Sequence, residues 1–208
     1  KKALKDSNEY LVAWFRFFFS LPLLLILWLF VPAPKLDAEF YRAFAIALPL
    51  EIVTIILYIK ALRVSPLSLT LPFLAITPVF LIFISYLLVG EKVSFRGGAG
   101  IFLIAAGSYT LNISEIKKGI LEPFRSIPRE KGSVFMIGVA LIYCFTASLG
   151  KIAIEHSSPL FFVITYYIAL TICFAPIAFW MGRKELGVFF RDKQFRKLVQ
   201  PGVFFAVM

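Results

Sequence analysis

The residue most able to do chemistry is an acidic side chain inside an apolar segment. Glu51 lies in LPLEIVTIILYIK, nine residues from both Arg42 and Lys60. In a helix that rises about 1.5 Å per residue, it would lie about 13 Å from each of them, near the middle of a bilayer core of about 30 Å. An ionised carboxylate at that depth costs about 2.5–3.5 kcal/mol on insertion scales. Glu51 must therefore be protonated, paired, or next to a polar cavity.

Two interpretations of this acid stay open. In the functional one, the carboxyl group binds a substrate amine or carries a coupling proton. In the structural one, it forms a hydrogen bond to a hydroxyl such as that of Thr54, Tyr58 or Thr77. In a later apolar block, Tyr143, Thr146 and Ser148 could line a cavity, although hydroxyls that bond back to their own helix are the more ordinary arrangement.

Two prolines interrupt one apolar block. Pro72 and Pro78 each lack a backbone donor and clash with the carbonyl four residues earlier. Freed carbonyls near the middle of the membrane can bind a substrate, and a broken helix can hinge. The alternative is a static kink patched by nearby hydroxyls. We expect a static kink at Pro72 and leave both interpretations open for Pro78.

The composition indicates which elements must position these residues. Sixty per cent of the 208 residues are apolar and 16% are charged, against about 45–50% and about 25% in soluble domains. The apolar residues fall into continuous blocks, such as LPLLLILWLFV (21–31) and PVFLIFISYLLVG (78–90). A transmembrane barrel would instead alternate over strands of about ten residues. The sequence therefore predicts an all-α membrane protein.

We predict six complete spans and the start of a seventh. They cover about residues 11–31, 43–59, 67–89, 97–111, 133–150 and 159–181, and the seventh begins near Pro201. Gly100 and Gly107 give the fourth span one small face, which is typical of close helix contact or, alternatively, of a dimer interface. The chain lacks an initiator Met and ends inside an apolar block, so we expect further residues on both sides.

Most of the basic residues lie in the loops between the predicted spans. Of the Lys and Arg residues in the loops, 16 lie on one side of the predicted spans and five on the other, which makes segments 112–132 and 182–200 cytoplasmic by the positive-inside rule. A net charge of +10 distributed in this way argues for headgroups rather than nucleic acid. His156 falls in a loop, where we expect it to be solvated.

Other chemistries have little support in the sequence. Cys144 and Cys173 lie in apolar blocks and are interpreted as small buried apolar residues. We expect no metal site and no cofactor. The chain shows no pairing of a nucleophile with a base, which disfavours an enzyme.

An internal repeat is the strongest organisational signal. KKALKDSNEYLVAWF (1–15) and GKIAIEHSSPLFFVI (150–164) align at an offset of 149 residues, and each leads into a long apolar block. Five spans separate the two points. Because five is odd, the two copies would cross the membrane in opposite directions, as in the inverted repeats of secondary transporters.

Residues 58–112 carry a resemblance to a known family. They contain a helix closed by Ala61-Leu62, a Ser-Pro turn, a mid-helix Pro78, a helix ended by Gly90-Glu91, and a glycine-bearing helix over 97–111. In this order of features the chain resembles the EamA-like branch of the drug/metabolite transporter superfamily. We expect Glu91, at the interface, to be structural.

The resemblance implies ten helices arranged as two inverted five-helix units, of which this chain would hold about six to seven. Residues 1–112 would be a first repeat lacking its first helix, 113–132 a connecting loop, and 133–208 the truncated start of the second repeat. The family's termini are expected to be cytoplasmic. The charge count instead places the start of a preceding helix outside, so the orientation stays open.

The implied function is secondary transport of small organic metabolites, with amino acids or drugs as candidates and efflux as the expected direction, by alternating access. The alternative is a non-transporting membrane scaffold or assembly factor with the same fold. The expected partners are a small solute, the lipid bilayer and protons as coupling ion, without nucleic acid, and the expected state is a monomer or homodimer. The expected location is a prokaryotic inner membrane.

Overall fold

The computed structural model describes residues 8–65, 73–74, 77–90, 92–110 and 131–187. Within these ranges all regular structure is helical, which confirms the predicted all-α class. The α-helices are α1 (Glu9–Trp28), α2 (Ala38–Val64), α3 (Thr77–Val89), α4 (Phe95–Thr110), α5 (Lys131–Glu155) and α6 (Pro159–Gly182). Four of these, α1, α2, α5 and α6, are long and apolar enough to cross a membrane.

The helices differ from the predicted spans mainly at their ends. Helix α2 extends five residues beyond the span 43–59 on each side, and α5 begins two residues before and ends five residues after the span 133–150. Helical hydrogen bonding does not stop where the apolar block stops, so polar residues such as Arg63 and Lys131 continue the helix outside the lipid core.

The predicted third span is only partly described. Its α-helix begins at Thr77, and Phe73 and Leu74 form a short 3₁₀ turn. Several features predicted from the sequence lie outside the described residues; they are Pro72, Glu91, the connecting segment up to residue 130, and the start of a seventh span at Pro201.

The described residues form two compact units. The α1–α6 unit contains α1, the first turn of α2 and the chain from Ala153 through α6. The α2–α5 unit contains the described residues from Arg42 to Ile152, including α3 and α4.

In the α1–α6 unit, α1 runs antiparallel to α6. The Asn8 side chain caps the start of α1, and its Nδ2 donates to the carbonyl of Met181, 3.3 Å away near the end of α6. The fully buried Leu11 packs onto Gly182. Farther into α1, the Phe17 ring lies 6.4 Å from the Phe174 ring.

A polar contact joins the same two helices. The Nε1–H of Trp14 donates to the carbonyl of Thr171 over 2.9 Å, and the Trp14 ring lies 4.8 Å from that of Phe179. Lipid supplies no hydrogen-bond partner, so an indole N–H inside a membrane needs one from protein. The bond therefore specifies how α1 is rotated against α6.

In the α2–α5 unit, the end of α2 packs against the start of α5. The backbone N–H of Gly132 donates to Ser65 Oγ over 3.3 Å. Ala61, Met136 and Val139 form a fully buried cluster just beyond this contact. The two helices are thus antiparallel, so earlier residues of α2 lie beside later residues of α5.

A loop contact between Asp37 and His156 was not anticipated from the sequence. His156 Nδ1 lies 2.6 Å from Asp37 Oδ2, with relative side-chain exposures of 37% and 55%. Asp37 Oδ1 also accepts the backbone N–H of Phe40 over 3.0 Å and so caps α2. The loops that hold Asp37 and His156 therefore lie at the same end of the α1–α6 unit, as the charge count assumed for these two loops.

Lowering the pH should remove the stabilisation that this contact provides. The hydrogen bond from Phe40, and then that from His156, lower the pKa of Asp37 below its usual 3.8. A lowered pKa in the folded protein means that the stabilisation is present above pH 3.8 and is lost as the pH falls through the lowered value. Melting temperatures of the protein and of Asp37→Asn should differ near neutral pH and converge in acid. An equal difference at all pH values would contradict this assignment.

Candidate functional site

Glu51 lies at the middle of a membrane-spanning helix. It is the fourteenth of the 27 residues of α2 and is half-buried. The nearest charged residues along the helix are Arg42 and Lys60, one toward each end. The depth expected from the sequence therefore agrees with the helix that forms.

The partner of Glu51 is a hydroxyl on another helix. The Thr146 hydroxyl of α5 lies within hydrogen-bonding reach of the Glu51 carboxyl group. This contact follows from the antiparallel packing of α2 and α5. The end of α2 at Ser65 lies beside the start of α5 at Gly132, so the middle of α2 at Glu51 lies beside Thr146, farther along α5. The partners proposed from the sequence, Thr54, Tyr58 and Thr77, were not the ones that the structure uses.

The geometry at Thr146 accommodates two protonation states of the acid. Thr146 Oγ1 also lies 3.3 Å from the carbonyl oxygen of Tyr143, in its own helix. A hydroxyl has one proton to donate and lone pairs to accept with. It can donate to an ionised Glu51, or donate to Tyr143 and accept from a protonated Glu51. Rotation of one hydroxyl is sufficient to change between them.

Other predicted cavity hydroxyls bond to their own helices. Thr54 is fully buried and donates to the carbonyl of Leu50 over 2.8 Å, and Ser148 donates to that of Cys144 over 2.9 Å. Such bonds satisfy a hydroxyl in lipid without any partner helix. Of the predicted set, Thr146 is the hydroxyl that the structure brings to Glu51.

The two predicted tyrosines pack against the buried cluster between α2 and α5. Tyr58 and Tyr143 lie half-buried against the Ala61, Met136 and Val139 cluster. Their rings therefore support the packing of α2 on α5 beside the Glu51–Thr146 contact.

The start of α3 contacts α5 close to this site. The Sγ–H of Cys144 lies 3.3 Å from the carbonyl of Thr77 and 3.1 Å from that of Ala140. Pro78 is the second residue of α3, so the interpretation as a mid-helix proline is corrected. A first-turn proline needs no intrahelical donor and favours the start of a helix.

Three prolines inside helices were missed by the sequence reasoning. They are Pro22 in α1, Pro49 in α2 and Pro176 in α6. Pro49 precedes Glu51 by two residues and leaves the carbonyl of Ala45 without its usual helical donor. The sequence shows this proline in LPLE, just before the acid.

The predicted structural glycines behave differently from one another. Gly90 has φ +73°, and its N–H bonds to the carbonyl of Tyr86 over 3.0 Å at the end of α3. This left-handed backbone favours glycine. At Gly100 and Gly107, a Cβ atom would meet no described atom within 4 Å. The expected close helix contact at these two residues is thus not found in the described part of the chain.

The cysteines differ in exposure. Cys144 is buried as expected, whereas Cys173 is exposed on α6, which corrects its interpretation as a buried residue. In the parts of the chain that the structure describes, no three His, Cys, Asp or Glu side chains lie close enough together to hold a metal ion.

A comparison with known families finds a match over the part of the chain that contains α1 to α4. The model of the EamA-like transporter family matches residues 1–113. The chain belongs to the EamA-like transporter family. The family is part of the drug/metabolite transporter superfamily, so the resemblance seen over 58–112 is confirmed and extends to residue 1. No curated protein and no solved structure matches the chain.

Membership of the EamA-like family and the four long apolar helices together make this an integral membrane protein of a transporter family. The matched region ends just after α4, and Glu51 lies inside it. Thr146 lies beyond the match, on α5. The candidate site therefore joins a helix from the matched region to one that follows it.

Proposed function

We propose that this protein is a secondary transporter that moves small organic metabolites, with amino acids or drugs as candidates, by alternating access. Export from a prokaryotic cell across its inner membrane is the proposed direction. The partners in this proposal are the solute, the bilayer and coupling protons, and the working form is a monomer or homodimer. The observation that carries it is the position of Glu51 at the middle of α2, with the Thr146 hydroxyl of α5 beside it.

An acidic side chain at the centre of a membrane-spanning helix raises the free energy of insertion, so its presence there indicates a functional role. Insertion scales place that cost at about 2.5–3.5 kcal/mol for a charged residue, and such residues mark ion and proton pathways. The Thr146 hydroxyl can serve the acid in either protonation state, as donor or as acceptor. A group that can take up and release a proton without losing its partner suits a coupling site.

The packing of α1 on α6 supports the proposal of two inverted units. These are the two helices that the repeat aligns, and they are antiparallel neighbours in the α1–α6 unit. Each begins at a polar capping side chain, Asn8 and Ser158, within one residue of the 149-residue offset. Inverted repeats of this kind commonly hold the substrate site near the bilayer midplane, which is where Glu51 lies.

Transport by the reconstituted full-length protein tests the proposal. Proteoliposomes should show saturable uptake or release of at least one member of a broad panel of amines, amino acids and other metabolites. A pH gradient should change the rate, and liposomes without protein should not respond. Absence of flux for every solute, with and without the gradient, would overturn the proposal and favour a scaffold or assembly factor, which should depend on surface segments such as 113–132.

A further inference from the structure

One end of the α1–α6 unit carries two neighbouring exposed cations. Arg183 and Lys184 directly follow α6, and both are exposed. The antiparallel packing places this end of α6 beside the start of α1, because Leu11 contacts Gly182. Two cations therefore lie where a pair of packed helices leaves the apolar core.

A third cation lies on α1. Arg16 lies five residues beyond Leu11, or about 7.5 Å deeper in a helix that rises about 1.5 Å per residue. Side chains on a helix lean toward its amino end, and long cationic side chains snorkel to the interface. Arg16 is exposed, and its guanidinium carbon lies 5.4 Å from the centre of the Phe17 ring, so the same helix pair carries a third cation deeper than Arg183 and Lys184.

Exposed aromatic rings accompany these cations. The guanidinium carbon of Arg183 lies 5.9 Å from the centre of the Trp180 ring, and Trp180 is 64% exposed. Phe18 is 43% exposed and stacks on Trp14 at 5.0 Å. Aromatic residues that flank cations at a helix end are typical of the bilayer interface. An arginine stacked on a ring keeps its N–H donors available for an anion.

The two ends of the unit differ in charge. Among the described residues, the end formed by the start of α1 and the end of α6 carries Arg183 and Lys184 against Glu9 and Glu185, with Arg16 deeper on α1. The loops at the other end, 29–41 and 153–158, carry one lysine, three acids and His156. An anionic ligand would be attracted to the first end and repelled from the second.

We propose that a phospholipid with an anionic headgroup binds at this end, with its phosphate at Arg183 and Lys184 and its acyl chains along Trp180 and Phe18. Exposed cations beside the exposed Trp180 ring at the end of α6, with the exposed Phe18 ring deeper on α1, favour a lipid over a free anion. A free anion would gain nothing from the rings, whereas acyl chains lie against them. The inference does not depend on the proposed transport.

Thermal unfolding in lipid nanodiscs tests this proposal. Phosphatidylglycerol should raise the melting temperature relative to phosphatidylcholine, and the rise should shrink at high salt because the contact is electrostatic. In native mass spectrometry, Arg183→Gln with Lys184→Gln should weaken binding of phosphatidylglycerol by about fivefold for each removed charge. Lys35→Gln, an exposed cation at the other end, is the matched control and should bind the lipid as the unaltered protein does.

Three results would overturn the proposal. One is an equal melting temperature in the two lipids. Another is full retention of lipid binding by the double variant, since both side chains are exposed and their replacement should leave the fold intact. The third is an equal rise produced by soluble glycerol phosphate in phosphatidylcholine nanodiscs, which would assign the cations to a free anion instead.

Discussion

Replacing Glu51 with glutamine should reduce pH-driven transport to the level of liposomes without protein. Glutamine has nearly the shape of glutamate and can still bond to Thr146, but it cannot exchange a proton at neutral pH. The protein should therefore fold and insert normally while losing coupling. Flux measured in proteoliposomes with and without a pH gradient reads this directly, and the melting temperature checks the fold.

A pair of hydroxyl variants provides the matched control. Thr146→Val removes the partner of Glu51 at nearly constant volume, and it should weaken coupled transport. Ser148→Ala, two residues along the same helix, removes a hydroxyl that bonds only to the carbonyl of Cys144 among its described contacts, and it should leave transport unchanged. Full coupled transport by Glu51→Gln would remove this acid from the mechanism and favour the structural interpretation of its hydrogen bond.

Replacing Gly132 with alanine should destabilise the packing of α2 on α5 by about 1–3 kcal/mol, the usual cost of overpacking. A Cβ atom there would lie 2.5 Å from Ser65 Cβ and 2.9 Å from the carbonyl oxygen of Ala61. The backbone oxygen cannot move aside without bending α2. The shift would also strain the bond from Gly132 N–H to Ser65 Oγ. Reversible unfolding in mixed micelles measures the free energy of unfolding.

Gly138→Ala, in the same helix, should not lower the free energy of unfolding. Its Cβ atom would meet only Leu57 Cδ1 at 3.8 Å, an ordinary contact. Alanine is favoured over glycine inside a helix by about 0.8–1 kcal/mol, so this variant should be as stable as the unaltered protein or slightly more so. Adding Ser65→Gly to Gly132→Ala should recover part of the loss. Equal stability of the two single alanine variants would show that α2 and α5 do not pack as described.

The helical class and the depth of Glu51 could be predicted from the sequence because both are local properties. A continuous apolar block of bilayer length indicates a spanning helix, and counting residues from Arg42 and Lys60 places the acid at its centre. The family resemblance was local as well, since it depended on turn and helix-end residues such as Gly90. The positive φ of Gly90 supplies the physical reason for a glycine there.

The contacts between helices could not be predicted in the same way. A helix surrounded by lipid can be apolar on all faces, so its pattern does not show which face packs against a neighbour. This is why Thr54 was expected beside Glu51 but bonds to Leu50 instead, and why Cys173 was expected to be buried but is exposed. Whether a side chain is buried, and which residue it contacts, depends on how its helix is rotated about its axis.

The sequence alone therefore determined that this protein spans a membrane and holds one acid at its middle depth. The tertiary structure decided which partner that acid has. Thr146 meets Glu51 because α5 packs antiparallel to α2 in a register that the close approach of Gly132 to Ser65 allows. Asp37 meets His156, 119 residues away, for the same kind of reason. Such pairings follow from packing between distant segments, which no local pattern specifies.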